Sequence, residues 1–184
     1  FIAGGGHGNL GTQAYVECFD EIVAFEKESN KHFDYIFHAS GTGTTQAGLV
    51  SGKLINNKST VIVGISIARK NPRGGQVVID SVKEYLDEKN INFTVEQIEN
   101  AVEFDDSYVG EGYGKKTTEI DTIITETMCK HGIPMDSTYV GKAYWGMQQY
   151  IEKNKLENKN ILFIHTGGTP LFFDDINRIS SKDE

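Results

Sequence analysis

Cysteine is scarce in this 184-residue chain, with only Cys18 and Cys129 present. Both fall in helix-like segments, which excludes a disulfide framework and leads to the expectation of a cytoplasmic protein. No apolar run approaches the ~20 residues needed to cross a bilayer, and nothing resembles a signal peptide, so no membrane partner is expected. Positive charge is also short: 18 Lys and Arg stand against 26 Asp and Glu, for a net charge of −8. Without a basic stripe, nucleic acid is not an expected partner. The five histidines show no metal-ligand spacing, so no metal is expected. No serine sits in a nucleophile elbow, and no Gly-Lys-Ser/Thr sequence marks an ATPase phosphate loop. Long repeats and low-complexity linkers are absent too, and one domain with a substantial core is the simplest organisation. The chain starts at Phe1 without methionine, directly in a strand-like Phe1-Ile2-Ala3. It is therefore expected to be the remainder of a longer protein.

What the sequence does have is a dense Gly/Thr stretch, Ala39-Ser40-Gly41-Thr42-Gly43-Thr44-Thr45-Gln46-Ala47-Gly48. It follows the apolar run Tyr35-Ile36-Phe37, read as a buried strand, and opens a helical spacing over 46–55. A strand, a tight turn and a helix start make an anion site. Gly41 and Gly43 allow a sharp turn and close backbone approach, and the free N–H groups of the helix start point at the anion. Thr42, Thr44 and Thr45 add hydroxyl donors at the same place. A negatively charged protein that binds phosphate must do so through such local donors.

Taken in order, the chain alternates strands and helices. Gly6-His7-Gly8-Asn9-Leu10-Gly11 matches G-x-G-x-x-G, but the next strand ends at Phe37-His38-Ala39 with no acid to hold a ribose. A structural glycine turn is the better reading. A helix over 10–28 places Tyr15, Cys18, Ile22 and Phe25 on one face. Residues 60–67 form the clearest buried strand, rich in β-branched residues and free of charge. Arg69, Lys70 and Arg73 follow it, either as a solvated loop or as holders of a second phosphate. A helix over 74–88 and a short strand near 92–95 come next, then an acidic irregular stretch over 101–110. In Gly110-Glu111-Gly112-Tyr113-Gly114, the tyrosine is either presented to a cleft or packed within its loop. Residues 115–130 read as an amphipathic helix with Ile120, Ile123, Ile124 and Met128 on its apolar face. It ends at Gly132 with Pro134 beyond. A further helix runs to about residue 154. In it Trp145, Met147 and Tyr150 are expected in the core and Lys142 at the surface or a cap. A last strand over 160–165 leads into Thr166-Gly167-Gly168, a short helix and a polar tail from Ser180. This alternation predicts an α/β fold with a doubly wound, mostly parallel sheet and helices on both faces. Both Gly/Thr turns then lie at strand carboxyl ends, where ligands sit in such sheets.

Four stretches in this order resemble one family. They are Ser40 through Gly48, Gly110-Glu111-Gly112-Tyr113-Gly114, Tyr139-Val140-Gly141-Lys142-Ala143, and Ile161-Leu162-Phe163-Ile164-His165-Thr166-Gly167-Gly168. Together they are similar to the 1-aminocyclopropane-1-carboxylate deaminase and D-cysteine desulfhydrase family, pyridoxal phosphate enzymes of the tryptophan synthase β-like fold. The resemblance implies a cofactor, pyridoxal 5′-phosphate, whose phosphate is cradled by Gly41, Thr42, Gly43, Thr44 and Thr45. It implies that Tyr113 and Tyr139 face a small amino acid substrate as catalytic residues, and that Thr166 lies at the pyridine nitrogen. It implies a homodimer at full length. The whole chain, 1–184, corresponds to a cofactor-binding large-domain portion of such an enzyme, so its fold would be incomplete. The family's Schiff-base lysine lies in an N-terminal portion that precedes these motifs. None of the lysines here matches that motif, and the chain alone is expected to be inactive.

Substrate choice turns on the residue after the second tyrosine. The deaminases resemble one another in having glutamate there and the desulfhydrases threonine, whereas this chain has Val140. A valine cannot ion-pair with a pyridinium, so the ring nitrogen would meet only the neutral Thr166 hydroxyl. That suits a D-cysteine-like β-elimination releasing ammonia and a keto acid better than ring opening of 1-aminocyclopropane-1-carboxylate. Two other readings are a non-catalytic phosphate-ligand binding module and an NADP-type Rossmann oxidoreductase with Arg69 at the 2′-phosphate. The latter lacks its third glycine, since Gln46 stands there.

Overall fold

A computed structural model describes residues 3–180. Phe1 and Ile2 of the expected first strand, and the polar tail beyond Ser180, lie outside the described residues. The apolar, uncharged run at 35–37 opens strand β1 (Tyr35–Ser40) and the β-branched run forms β2 (Val61–Ser66), and β3 (Glu103–Asp105) and β4 (Ile161–Phe163) flank them. Their order is β3-β2-β1-β4, all parallel. Tyr35 pairs with Val61 on one side and Ile161 on the other, and Ile65 pairs with Asp105. Strand order runs outward from β1 to β2 and β3, then jumps back across β1 to β4. The crevice above the carboxyl end of β1 is thus the switch point where such sheets receive ligands.

Alternation along β1 and β2 divides the core between the two faces. Ile36 and Ile62 pack under α1 (Asn9–Ser29), α2 (Thr44–Ile55), α3 (Arg73–Glu88) and α4 (Val95–Ala101). Phe37, Val63 and Ile65 pack against Ala143 and Met147 of α6 (Val140–Lys153). A third cluster, including Ile120, Val140 and Phe172, joins α6 to α5 (Thr118–His131) and α7 (Thr169–Ser180). The doubly wound α/β prediction therefore holds, including helices on both faces.

Several local readings change. The buried stripe of α1 is Thr12, Val16, Phe19 and Glu26, and Phe25 is half exposed. The cause is a glycine groove on α2. A Cβ at Gly48 would lie 2.3 Å from Tyr15 Cβ, and one at Gly52 would lie 2.6 Å from Phe19 Cβ. α1 settles into that groove, which rotates its contact face by part of a turn. Met128 likewise leaves the face of α5, at 37% exposure.

The strand expected near 92–95 is instead a helix start. Thr94 accepts from the Gln97 N–H while the Gln97 side chain accepts from the Thr94 N–H, a capping box that opens α4. The strand lies further on, within the acidic stretch read as irregular. β3 is held there from outside its own sequence: Gln46 Nε2 donates to the Glu103 carbonyl at 2.7 Å, and Gly74 leaves room for the Phe104 ring.

Lys142, expected at the surface or a cap, is only 1% exposed. Its ammonium donates to the carbonyls of Val109 at 3.1 Å and Gly112 at 3.0 Å. Met147 is in the core as expected, with Trp145 and Tyr150 partly buried at its border.

Candidate active site

The two Gly/Thr turns and the glycine-framed tyrosine meet at one cavity of about 500 Å³ above β1, β2 and β4. Its floor is the turn after β1, where Gly41, Thr42 and Thr45 line it. Gly43 takes φ 97°, which turns the chain into α2 at little steric cost, and an added Cβ would meet Val78 at 3.3 Å. Thr44 is buried, and its hydroxyl sits 3.3 Å from that of Thr42 and 3.4 Å from His7 Nδ1. Gly43 and Thr44 therefore shape the turn from behind, while Gly41, Thr42 and Thr45 face the cavity. The first N–H groups of α2 have no partner within the helix and open on the same space. Gln46, standing where a dinucleotide fold has its third glycine, is fully buried over Gly64 of β2. Close helix–strand approach is achieved here by the glycine of the strand.

Tyr113 and Tyr139 form the opposite wall. Their hydroxyls share a short hydrogen bond, and the rings meet edge to face at 5.8 Å. That bond and partial burial push the Tyr139 phenol up to about 12, so it holds its proton through the physiological range. Tyr139 is aimed by a buried carboxylate. Asp136 accepts from the backbone N–H groups of Thr138, Tyr139 and Val140 at 2.8–3.0 Å and so caps α6. The same carboxylate touches the second turn: a Cβ at Gly168, which has φ 84°, would lie 2.4 Å from Asp136 Oδ1. Thr166, on that turn, closes the third side of the cavity. His165 steadies it, accepting from the Gly167 N–H at 3.3 Å through Nδ1, while Nε2 bonds the Pro134 carbonyl at 2.8 Å.

Val140 points elsewhere. It is fully buried in the cluster with Ile120, Ile124 and Met135 and is not part of the cavity wall. Its identity therefore acts on packing, contrary to the expectation that this position faces the ring nitrogen. That wall contains no carboxylate and no lysine among the described residues.

The wall also includes Gly5, Tyr15, Ile67 and Ala68, which are not among the expected site residues, and Arg69, expected either in a solvated loop or as a phosphate holder. Ile67 to Arg69 follow a strand end, a position that itself signals a ligand in this fold. Arg69 is fixed rather than solvated. Ser66 Oγ donates to its carbonyl at 2.6 Å, and its Nη1 donates to the Gly41 carbonyl at 2.9 Å. It forms no ion pair among the described residues, so most of its guanidinium donors remain for an anion. Tyr15 reaches the cavity only because α1 sits in the glycine groove, and nothing in its local sequence marks it.

Residues 1–167 match the family described as pyridoxal-phosphate dependent enzyme. The chain belongs to that family. Among its relatives, a Pyrococcus furiosus protein named "Putative 1-aminocyclopropane-1-carboxylate deaminase" is 34% identical over 164 residues, 89% of this chain and 48% of the relative. A D-cysteine desulfhydrase of Serratia proteamaculans is 31% identical over 173 residues, 92% of this chain and 50% of the relative. The crystal structure of an ACC deaminase homologue superposes with a TM-score of 0.86 at 33% identity, covering 98% of this chain and 52% of that one. The fold is therefore the tryptophan synthase β-like fold of pyridoxal phosphate enzymes, and the chain spans about half the length of the relatives it matches.

The cavity fits the family's cofactor. A glycine-turned helix start with two inward threonines and an unpaired guanidinium suits a phosphate dianion, and a cavity of several hundred Å³ suits a small aromatic ring. Among the described residues no group of three or more His, Cys, Asp and Glu could hold a metal ion, and no helix is long and apolar enough to cross a membrane.

Proposed function

We propose that this chain is the cofactor-phosphate and substrate-facing portion of a pyridoxal phosphate-dependent lyase acting on a small amino acid. The favoured reaction is a D-cysteine-like β-elimination that releases ammonia and a keto acid. The observation that carries this preference is the cavity wall: Thr166 offers a neutral hydroxyl, and no carboxylate lines the space among the described residues. The cofactor, when bound, withdraws electrons from the bonds at the substrate's α-carbon.

The residues of this chain divide the remaining work. The N–H groups of the Gly41–Thr45 turn, with the Thr42 and Thr45 hydroxyls, would hold the phosphate, and Arg69 would add positive charge beside it. The Thr166 hydroxyl would offer a ring nitrogen only a neutral partner, which would leave the ring a moderate electron sink. That is sufficient where a thiolate departs from the β-carbon and less suited to breaking a carbon–carbon bond. The Tyr113–Tyr139 pair keeps a phenolic proton available at the cavity wall, which could protonate a departing thiolate. Among the described residues no lysine lines the cavity, so the group that would bond the cofactor and take the α-proton is proposed to come from the part of the relatives' length that this chain does not span.

The test is a full-length protein supplied with either substrate. Sulfide and pyruvate from D-cysteine should form faster than 2-oxobutyrate from 1-aminocyclopropane-1-carboxylate. Faster turnover of the cyclopropane substrate would refute the preference. For the isolated chain, incubation with pyridoxal phosphate, borohydride reduction and intact mass should give no stoichiometric adduct on a single lysine.

A further inference from the structure

The loop between β3 and α5 carries Tyr113; its ends are held by the buried Val109 side chain and the Lys116–Asp175 ion pair, but its glycine-rich middle has little to fix it. Gly110, Gly112 and Gly114 all take positive φ (63°, 129° and 70°), and a Cβ added at any of them would meet nothing within 4 Å. Tyr113 itself is 57% exposed. The backbone bonds Gly112 N–H to Val109 O and Lys115 N–H to Gly112 O, both 3.3 Å, are internal to the loop and do not fix it to the body. Behind it lies a second cavity of about 330 Å³, bounded by Val109, Gly110, Glu111, Lys142 and Trp145. The loop thus has open space to retreat into, away from the site.

Against that retreat stands one buried cation. Lys142 lies three residues beyond Tyr139, in the first turn of α6, and its ammonium reaches out of the helix to the Val109 and Gly112 carbonyls. A buried ammonium is costly unless its donors are used, and here they are used on backbone oxygens: it forms no ion pair among the described residues. Both carbonyls belong to the segment that leads into Tyr113. The helix that positions Tyr139 therefore also anchors the loop that brings Tyr113 to it.

We propose that Lys142 is the positioning residue of the Tyr113 loop, tying the Val109 and Gly112 carbonyls so that the Tyr113 hydroxyl stays against that of Tyr139. The kinetic part of its test rests on the proposed role of Tyr113; the exchange part does not. In the full-length protein, Lys142→Met removes the donors while keeping an unbranched side chain. Amide hydrogen exchange over 107–117 should then accelerate by about 10- to 100-fold, the range expected for losing charge-assisted hydrogen bonds, with β1 and β2 unchanged. Lys142→Arg, which keeps donors, should restore part of the protection. In turnover, K142M and Y113F should not compound: the double variant should match Y113F in kcat/KM within about twofold. Unchanged loop exchange in K142M, or losses in kcat/KM that multiply, would overturn the proposal. Should K142M not fold, Lys142→Gln carries the same readouts with one donor group kept and the charge lost. If the full-length protein shows no lyase turnover, the functional reading falls, and the exchange result still decides the role of Lys142.

Discussion

His38 offers a quantitative check on how the floor of the cavity is built. It lies on β1, two residues before Ser40, and is fully buried. Its Nδ1 bonds the Ala39 carbonyl at 3.1 Å, and Nε2 has no partner among the described residues. Protonating Nε2 would place a charge in an apolar setting with nothing to receive the hydrogen bond. Burial accordingly pushes the imidazole from 6.5 down to about 4. As pH falls below about 6.5, the unfolded chain takes up a proton at His38 and the folded chain does not, so stability declines. The decline is complete near pH 4, where the folded state is protonated as well. A shift of this size corresponds to about 3 kcal/mol. Urea unfolding of the protein and of His38→Gln, at intervals between pH 7.5 and about 3.5, isolates this contribution. Carboxylates held low, such as Asp34 and Asp175, act mainly below the histidine window and cancel in the difference. The stability gap between the two proteins should change by about 3 kcal/mol across that window, with wild type losing ground as pH drops. A gap that stays flat, or a His38 resonance titrating near 6.5, would refute the assignment of this side chain as a buried neutral imidazole.

Other outcomes follow from the same geometry. Arg69→Met should weaken binding of pyridoxal phosphate about tenfold or more in the full-length protein while leaving pyridoxal almost unaffected; equal losses for both would place the arginine off the phosphate. Tyr113→Phe removes the main cause of the raised Tyr139 phenol, so its titration midpoint should fall from about 12 toward 10 in ultraviolet difference spectra. Asp136→Ala leaves three N–H groups at the start of α6 without their acceptor and should cost about 2 kcal/mol or more in denaturant unfolding. Gly52→Ala drives a methyl to 2.6 Å from Phe19 Cβ, and the overpacking should outweigh the gain in helix propensity by about 1 kcal/mol.

The parts of this molecule that could be read from sequence are those decided by neighbours in the chain. The Gly41–Thr45 turn is such a case, since strand, glycines and helix start are contiguous and their placement above β1 follows from the alternation of elements. The pair Tyr113 and Tyr139 required the order of several motifs, because a lone tyrosine between glycines has no local signature of a partner 26 residues away. What stayed hidden depends on contacts made across the fold. The register of α1 is set by glycines of α2, and three-residue β3 is stabilised by Gln46 and Gly74, so neither leaves a periodic trace in its own segment. The Thr94–Gln97 box is a short-range capping signature and legible in principle, though β-branched residues nearby favour a strand. The burial of Lys142 has no local trace, because a lysine's sequence context says nothing of which carbonyls a distant loop will bring to it. Val140 follows the same rule: its place beside Tyr139 in sequence does not make it a neighbour in the cavity.

The glycine groove on α2 has one further effect. Tyr15 forms part of the cavity's back wall only because Gly48 lets α1 lie against α2 with no side chain between them. The width of the site is therefore governed by a spacer outside it, of zero thickness in this chain. Thickening that spacer by one methyl would move Tyr15 away from Thr42 and Thr45 with every wall residue unaltered. The range of ligand sizes accepted here can thus be retuned by a position that no ligand touches.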